Sequence, residues 1–173
     1  MRRVVVTGIG TINSTGHNVK DSFEAVVNGV CGIDTITLFD ASDFSVKIAG
    51  EVKDFDPTTV MDKKEVKKAD RFIQLGIKAA HEAMIDSGYV TADNKKVDGS
   101  IADRFGIISG SGIGGLSTIE RNSVVCETKG SRKVSPFFIP SSLANMLSGF
   151  ISIEHNLRGP SLAHVTACAA STH

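Results

Sequence analysis

Three short apolar runs, each ending in glycine or other small residues, limit what this chain can fold into. Val4-Val5-Val6 leads into Thr7-Gly8-Ile9-Gly10, Arg104-Phe105-Gly106-Ile107-Ile108-Ser109 into Gly110-Ser111-Gly112-Ile113-Gly114-Gly115, and Leu162-Ala163-His164-Val165 into Thr166-Ala167-Cys168. A buried strand that leaves a sheet for a helix does so through a sharp turn, where small residues permit backbone conformations and close approaches that a larger side chain blocks. Helical patterns fall between these runs. The order of strand, helix, excursion, helix, strand, glycine turn, helix and strand predicts an α/β protein with a layered, mixed sheet.

The helices carry their own signals. Asn18 is a cap for a helix with Phe23, Val26 and Val27 on one face, stopped at Gly29. The strongest pattern runs from about Lys64 to Ser87, with Ala69, Phe72, Ile73, Gly76, Ala80, Ala83 and Met84 at helical spacing and Gly88 just past its end. Its apolar face is small enough for close packing against other layers. From Ser141 or Ser142 as cap, Leu143, Ala144, Leu147, Phe150 and Ile151 predict another helix, ending before Gly159-Pro160. Residues 30–62 change character and include one half-exposed strand around Val46 to Val52, residues 91–103 form a polar surface loop, and residues 116–139 look irregular.

Cys168 stands where the last strand enters small residues that read as the first turn of a helix. A thiol there faces unsatisfied N–H groups and the positive end of the peptide dipole, which favour the thiolate. Ala167, Ala169 and Ala170 leave room for a substrate carbonyl, and the Cys168 amide is a donor for the oxyanion formed on attack. The competing reading is a small buried hydrophobe.

Composition narrows the partners. Nineteen basic and nineteen acidic side chains cancel, so whole-chain charge gives no argument for a nucleic acid or an anionic membrane. Three cysteines, Cys31, Cys126 and Cys168, without a Cys-x-x-Cys pair, argue against a disulfide framework and against a zinc site. Gly8 and Gly10 break the first apolar run too soon for a signal peptide, and no run approaches the roughly 18 apolar residues of a membrane helix. The expected location is the cytoplasm.

Two further stretches admit two readings. Gly110, Gly112 and Gly115 match Gly-x-Gly-x-x-Gly, which in a first βαβ unit places a pyrophosphate on a helix N-terminus. This strand lies well inside the chain and no carboxylate follows at the usual distance, so close backbone packing around a narrow channel is the better reading. The basic run Lys63, Lys64, Lys67 and Lys68 is either a solvated face or a docking patch for an acidic partner. Pro136-Phe137-Phe138-Ile139-Pro140 anchors a loop or walls a pocket.

Taken together and in order, five motifs resemble those of the β-ketoacyl-[acyl-carrier-protein] synthases of the thiolase-like superfamily. They are Arg3 to Gly10, Gly110 to Leu116, Ser135 to Ser141, Leu157 to Ser161 and Thr166-Ala167-Cys168. The resemblance covers all 173 residues. It implies a layered α/β/α fold, of which this chain is the first of two similar halves, with excursions at about 30–62 and 116–140. It also implies that Cys168 accepts the growing acyl chain as a thioester, and that Ile113 and Phe138 line the acyl channel near a dimer interface, the bulk of Ile113 limiting or gating chain length. Lys64, Lys67, Lys68, Arg132 and Lys133 match positions that face an acidic acyl carrier protein. No cofactor and no metal are implied, and the homodimer joins the strand before Cys168 to its mate.

The family's second half, which supplies histidines, a lysine and a phenylalanine for decarboxylation and the oxyanion, has no counterpart in these residues. His17, His81, His155, His164 and His173 are scattered, and no local motif makes any of them a base. The expectation is therefore an amino-terminal part of a condensing enzyme that does not elongate by itself, whose Cys168 alkylates at roughly the rate of a free thiol, and whose uncovered apolar surface promotes assembly. Alternatives are a non-catalytic partner resembling chain-length-determining subunits, a nucleotide-binding oxidoreductase, or a thiolase or starter-specific synthase. Cys168 argues against the first, and the Gly112–Gly115 and Pro136–Phe138 patterns against the last.

Overall fold

The computed structural model describes residues 3–172. In chain order its elements are helix α1 (Val19–Val27), strands β1 (Asp34–Thr35) and β2 (Ile48–Ala49), helices α2 (Lys63–Val66) and α3 (Arg71–Asp86), strand β3 (Ile107–Gly110), helices α4 (Leu116–Lys129), α5 (Phe138–Ser142) and α6 (Met146–His155), and strand β4 (Ser161–His164). The chain divides into two compact units, Met1–Asp56 with Lys78–Gly88, and Pro57–Ile77 with Tyr89–His173.

In the first unit, α1 begins where expected, the Asn18 side chain accepting the Asp21 amide at 2.8 Å, and ends at Asn28 before the left-handed Gly29 (φ 67°). Phe23, Val26 and Val27 lie exposed. The half-exposed strand expected over Val46 to Val52 shrinks to Ile48–Ala49, antiparallel to Asp34–Thr35. The expected buried strand at Val4-Val5-Val6 is not one: these residues belong to no strand, and Val4 is 94% and Val6 83% exposed. β-Branched residues favour extended backbone, but a ladder needs a neighbour, and this segment turns instead to the second half of α3. Asp86 Oδ2 accepts the Ile9 amide at 2.9 Å, while Glu82 accepts those of Thr11 at 3.1 Å and Val19 at 2.8 Å. Gly8 and Gly10 let this backbone lie on the helix: a Cβ on Gly10 would come within 2.7 Å of the Ala83 nitrogen.

In the second unit, the long helix predicted from Lys64 breaks into α2 and α3. Asp70 is the reason for the break: its main-chain oxygen accepts Ile73 N–H and Gln74 N–H, its carboxylate takes Phe72 N–H, and Gln74 Nε2 closes back on the Val66 and Ala69 carbonyls. Residues 116–129, read as irregular, form the regular helix α4, which ends at left-handed Gly130 (φ 85°). Its buried residues are Thr118 and Asn122, so it lacks the apolar stripe that marks a helix in sequence. The helix predicted from Ser141 or Ser142 is also corrected. Both serines lie buried inside α5, their hydroxyls donating to the Phe137 and Ile139 carbonyls, and α6 starts only at Met146.

The 91–103 loop is pinned to the interior by Val97, 2% exposed, whose amide donates to the His155 carbonyl at 3.0 Å. Strands β3 and β4 pair in parallel, Ile107 with Ser161 through Gly110 with His164, and α6 packs on both. The core of this unit gathers around Ile73, Ile77, Val97, Ala102, Leu147 and Ile151.

Candidate active site

The parallel register brings the ends of β3 and β4 level, and the turns that follow them lie side by side. Ser111 N–H extends the pairing to the His164 carbonyl at 3.1 Å. A Cβ on Gly110 would come within 2.7 Å of the Ala170 carbonyl carbon, and one on Gly112 within 3.8 Å of the Ala167 oxygen. The glycines of the first turn thus meet the backbone of the turn that carries Cys168.

Cys168 is the middle residue of a single 3₁₀ turn, Ala167–Ala169, and it is exposed. The expected α-helix start is replaced by this tighter turn. Ala167 holds φ 49°, a left-handed conformation that costs an L-residue about 1 kcal/mol, and it turns the chain sharply out of β4. Amides of Ala169 and Ala170 bond back to Thr166 and Ala167 at 3.1 Å, fixing the turn below the thiol.

The rest of the glycine turn is wedged against α5. Gly115 N–H donates to the Ser142 carbonyl at 2.9 Å, Gly114 N–H to the Ser111 hydroxyl at 3.0 Å, and Gly114 adopts φ 89°. Ile113, on this turn, is 64% exposed; Phe138, at the start of α5, is half-buried. The turn therefore abuts the Cys168 turn on one side and the end of Phe138's helix on the other.

Sequence reasoning missed a set of buried polar residues. Asp70 Oδ2 accepts both the Thr118 amide, at 2.9 Å, and its hydroxyl, at 2.6 Å. Asn122 donates to the Thr118 carbonyl at 2.9 Å and accepts the Ser135 amide at 3.0 Å, which fastens the segment ahead of Phe137-Phe138 to α4. The four-residue spacing of Thr118 and Asn122 was the available signal. The Asp70 carboxylate occupies the position at the α4 N-terminus where a dinucleotide fold would bind phosphate, and the glycines are filled by neighbouring backbone, which argues against the nucleotide reading.

The basic residues lie on segments tied to the same unit. Lys64 and Lys67 are exposed on and after α2; Lys68 pairs with Glu65 at 2.6 Å and lies 5.5 Å from the Phe137 ring centre. Arg132 and Lys133 are exposed on a 3₁₀ turn that follows Gly130.

Four histidines lie among the described residues. His155 is fully buried at the end of α6, its Nδ1 2.7 Å from the Lys95 carbonyl oxygen, and burial holds its pKa below the usual 6.5 although that carbonyl and nearby Glu154 favour the proton. His164 closes β4, His81 is buried on α3, and His17 meets Phe55 edge to face. His173 lies outside the described residues. All three cysteines are free and exposed, no metal-binding cluster occurs among the described residues, and no helix among them is long and apolar enough to cross a membrane.

Known proteins share this fold. The ishigamide ketosynthase/chain length factor superposes with a TM-score of 0.77 at 29% identity, over 96% of this chain and 40% of that one. A beta-ketoacyl synthase from Burkholderia phymatum STM815 superposes with a TM-score of 0.77 over 99% of this chain and 41% of its own, its 21% identity speaking to fold alone. Parallel strands, glycine turn and cysteine turn thus define a chain with the thiolase-like ketosynthase fold. The family described as "Beta-ketoacyl synthase, N-terminal domain" matches residues 1–173. The 3-oxoacyl-[acyl-carrier-protein] synthase 2 of Vibrio harveyi is 48% identical over 173 residues, and that of Coxiella burnetii 44% over 172, each match spanning 99% of this chain and 40% of the relative. The chain belongs to the beta-ketoacyl synthase family, matching its N-terminal domain, and spans 40% of the length of these relatives.

Proposed function

We propose that this chain is the N-terminal, nucleophile-bearing part of a 3-oxoacyl-[acyl-carrier-protein] synthase that elongates fatty acids. The observation that carries the reading is the exposed Cys168 on a sharp turn packed against the glycine turn of Ile113. In the first step the Cys168 thiolate attacks the carbonyl of an acyl thioester on carrier protein; the C–S bond to the carrier breaks, its thiolate leaves, and the acyl group is held on Cys168. The Cys168 amide is the donor this chain offers to the tetrahedral oxyanion. In the second step malonyl-carrier protein loses carbon dioxide, and its carbanion attacks the bound acyl carbonyl. The Cys168 thiolate is expelled and the product is two carbons longer.

Ile113 and Phe138, on elements joined through Gly115 and Ser142, wall the acyl channel. Lys64, Lys67, Lys68, Arg132 and Lys133 receive the acidic carrier protein, with Lys68 braced by Glu65 and Phe137. The protein works as a cytoplasmic homodimer through β4, whose Leu162 remains exposed, with no cofactor, nucleic acid or membrane as partner. A non-catalytic chain-length subunit is the lesser reading, because Cys168 is present and accessible.

In the full-length protein, Cys168→Ala abolishes elongation of acyl- with malonyl-carrier protein, and the 173 residues alone yield no elongated product, since the decarboxylating groups are not among them. Elongation that survives Cys168→Ala at the wild-type rate contradicts the assignment.

A further inference from the structure

Helix α4 has no cap of its own. Its N-cap position is Gly115, which offers no side chain, yet the Thr118 amide in its first turn is satisfied. The acceptor is Asp70, 48 residues earlier, which binds the Thr118 hydroxyl with the same oxygen. Both residues are buried, Asp70 at 7% and Thr118 at 8% exposure. Through its other oxygen and its carbonyl Asp70 also starts α3, so one residue anchors the beginnings of two helices. A carboxylate there satisfies orphan donors and complements the dipole of α4.

We propose that Asp70, with Thr118, is a positioning residue for the acyl-binding turn, setting the placement of Ile113 relative to Cys168. The inference rests on the roles given to Ile113 and Cys168 under the proposed function. The turn that carries Ile113 is held at two ends. At one, Ser111 is bonded to His164 and Gly110 lies on Ala170, beside Cys168. At the other, the chain passes through Gly115, where a Cβ would come within 3.1 Å of the Asp70 Cβ, directly into the helix start that Asp70 caps. Releasing the Thr118 contact loosens the second end, where the Gly115–Ser142 hydrogen bond remains, and leaves the first in place. The effect falls on how the acyl chain is accommodated, while the thiol itself is untouched.

The test uses the full-length protein and compares Thr118→Val, Thr118→Ser and Asp70→Asn. Acyl transfer to Cys168 from hexanoyl- and dodecanoyl-carrier protein is followed by intact mass, alongside alkylation of Cys168 by iodoacetamide. Thr118→Val and Asp70→Asn are expected to change the ratio of dodecanoyl to hexanoyl transfer rates by about fivefold or more. Alkylation stays within about twofold of wild type, and Thr118→Ser, which keeps the hydroxyl, restores the ratio. A ratio within about twofold of wild type in Thr118→Val overturns the inference while leaving the proposed function standing, as does a shift equally large in Thr118→Ser. Absence of any acyl adduct on wild-type Cys168 defeats the proposed function, and this inference with it.

Discussion

Gly110 lies so close beneath Ala170 that a Cβ at position 110 would come within 2.7 Å of the Ala170 carbonyl carbon. The neighbour is backbone, held by the Ala170–Ala167 hydrogen bond, and cannot swing aside as a side chain would. Gly110→Ala is therefore expected to destabilise the protein by about 1–3 kcal/mol, in the range of overpacked cores. It should also raise the alkylation rate of Cys168 as its turn is displaced. Urea unfolding and thiol labelling check this; a variant as stable as wild type, with unchanged labelling, contradicts the close packing.

Gly76 faces a side chain instead, that of Leu147, with one Leu147 methyl carbon 3.2 Å from where a Cβ would lie and the other closer. Alanine would gain about 1 kcal/mol of helix propensity over glycine, but the clash is expected to outweigh it and leave Gly76→Ala less stable by about 1 kcal/mol. Leu147→Ala alone should cost about 2–3 kcal/mol through the cavity it opens. Combined, the two should cost less than their sum, because the added methyl occupies space that Leu147 vacates. Strict additivity in thermal unfolding would show that the two side chains do not meet.

Stability should respond to pH through His155. Its folded pKa lies below the unfolded value because burial disfavours the imidazolium, so the unfolded chain binds the proton more tightly. The contribution is full above about pH 6.5 and declines as the pH falls below it toward the folded pKa. Urea midpoints measured between about pH 7.5 and about pH 5.5 should fall with acid in the wild type and change less in His155→Gln. Equal slopes in the two proteins would show that the ring is not held neutral.

Under the proposed function, each exposed lysine should contribute only modestly to carrier binding. An exposed ion pair contributes less than about 1 kcal/mol, so Lys64→Glu or Lys67→Glu should weaken carrier binding by roughly threefold to fivefold each at low salt, and less at high salt. Surface-immobilised carrier protein provides the measurement. Unchanged affinity at low salt in a Lys64, Lys67 double reversal would move the docking surface elsewhere.

What could be read from the residues follows from the range over which each signal acts. Asn18 and Gly29 mark α1 locally, and both ends appear where those residues lie. The runs at Ile107 and Leu162 end in small residues and became the parallel pair that levels the two turns. Helix α4 was hidden because its buried positions, Thr118 and Asn122, are polar, while apolar Leu116 and Val124 are exposed. The break before α3 was hidden for a related reason: Asp70 looks like one more charge in a basic run until its partner 48 residues away is known. Val4-Val5-Val6 gave a strand signal without a strand, since β-propensity describes a residue and a ladder requires two segments. At the site, the position of Cys168 after a strand was legible, but the left-handed Ala167 was not, because alanine carries no mark of positive φ.

The most direct measurement is the intact mass of the full-length protein after incubation with dodecanoyl-carrier protein, followed by peptide mapping. The account predicts a mass increase of one dodecanoyl group, located on the peptide containing Cys168, released by hydroxylamine and absent from Cys168→Ala. No adduct, or an adduct on Cys31 or Cys126 instead, would contradict it.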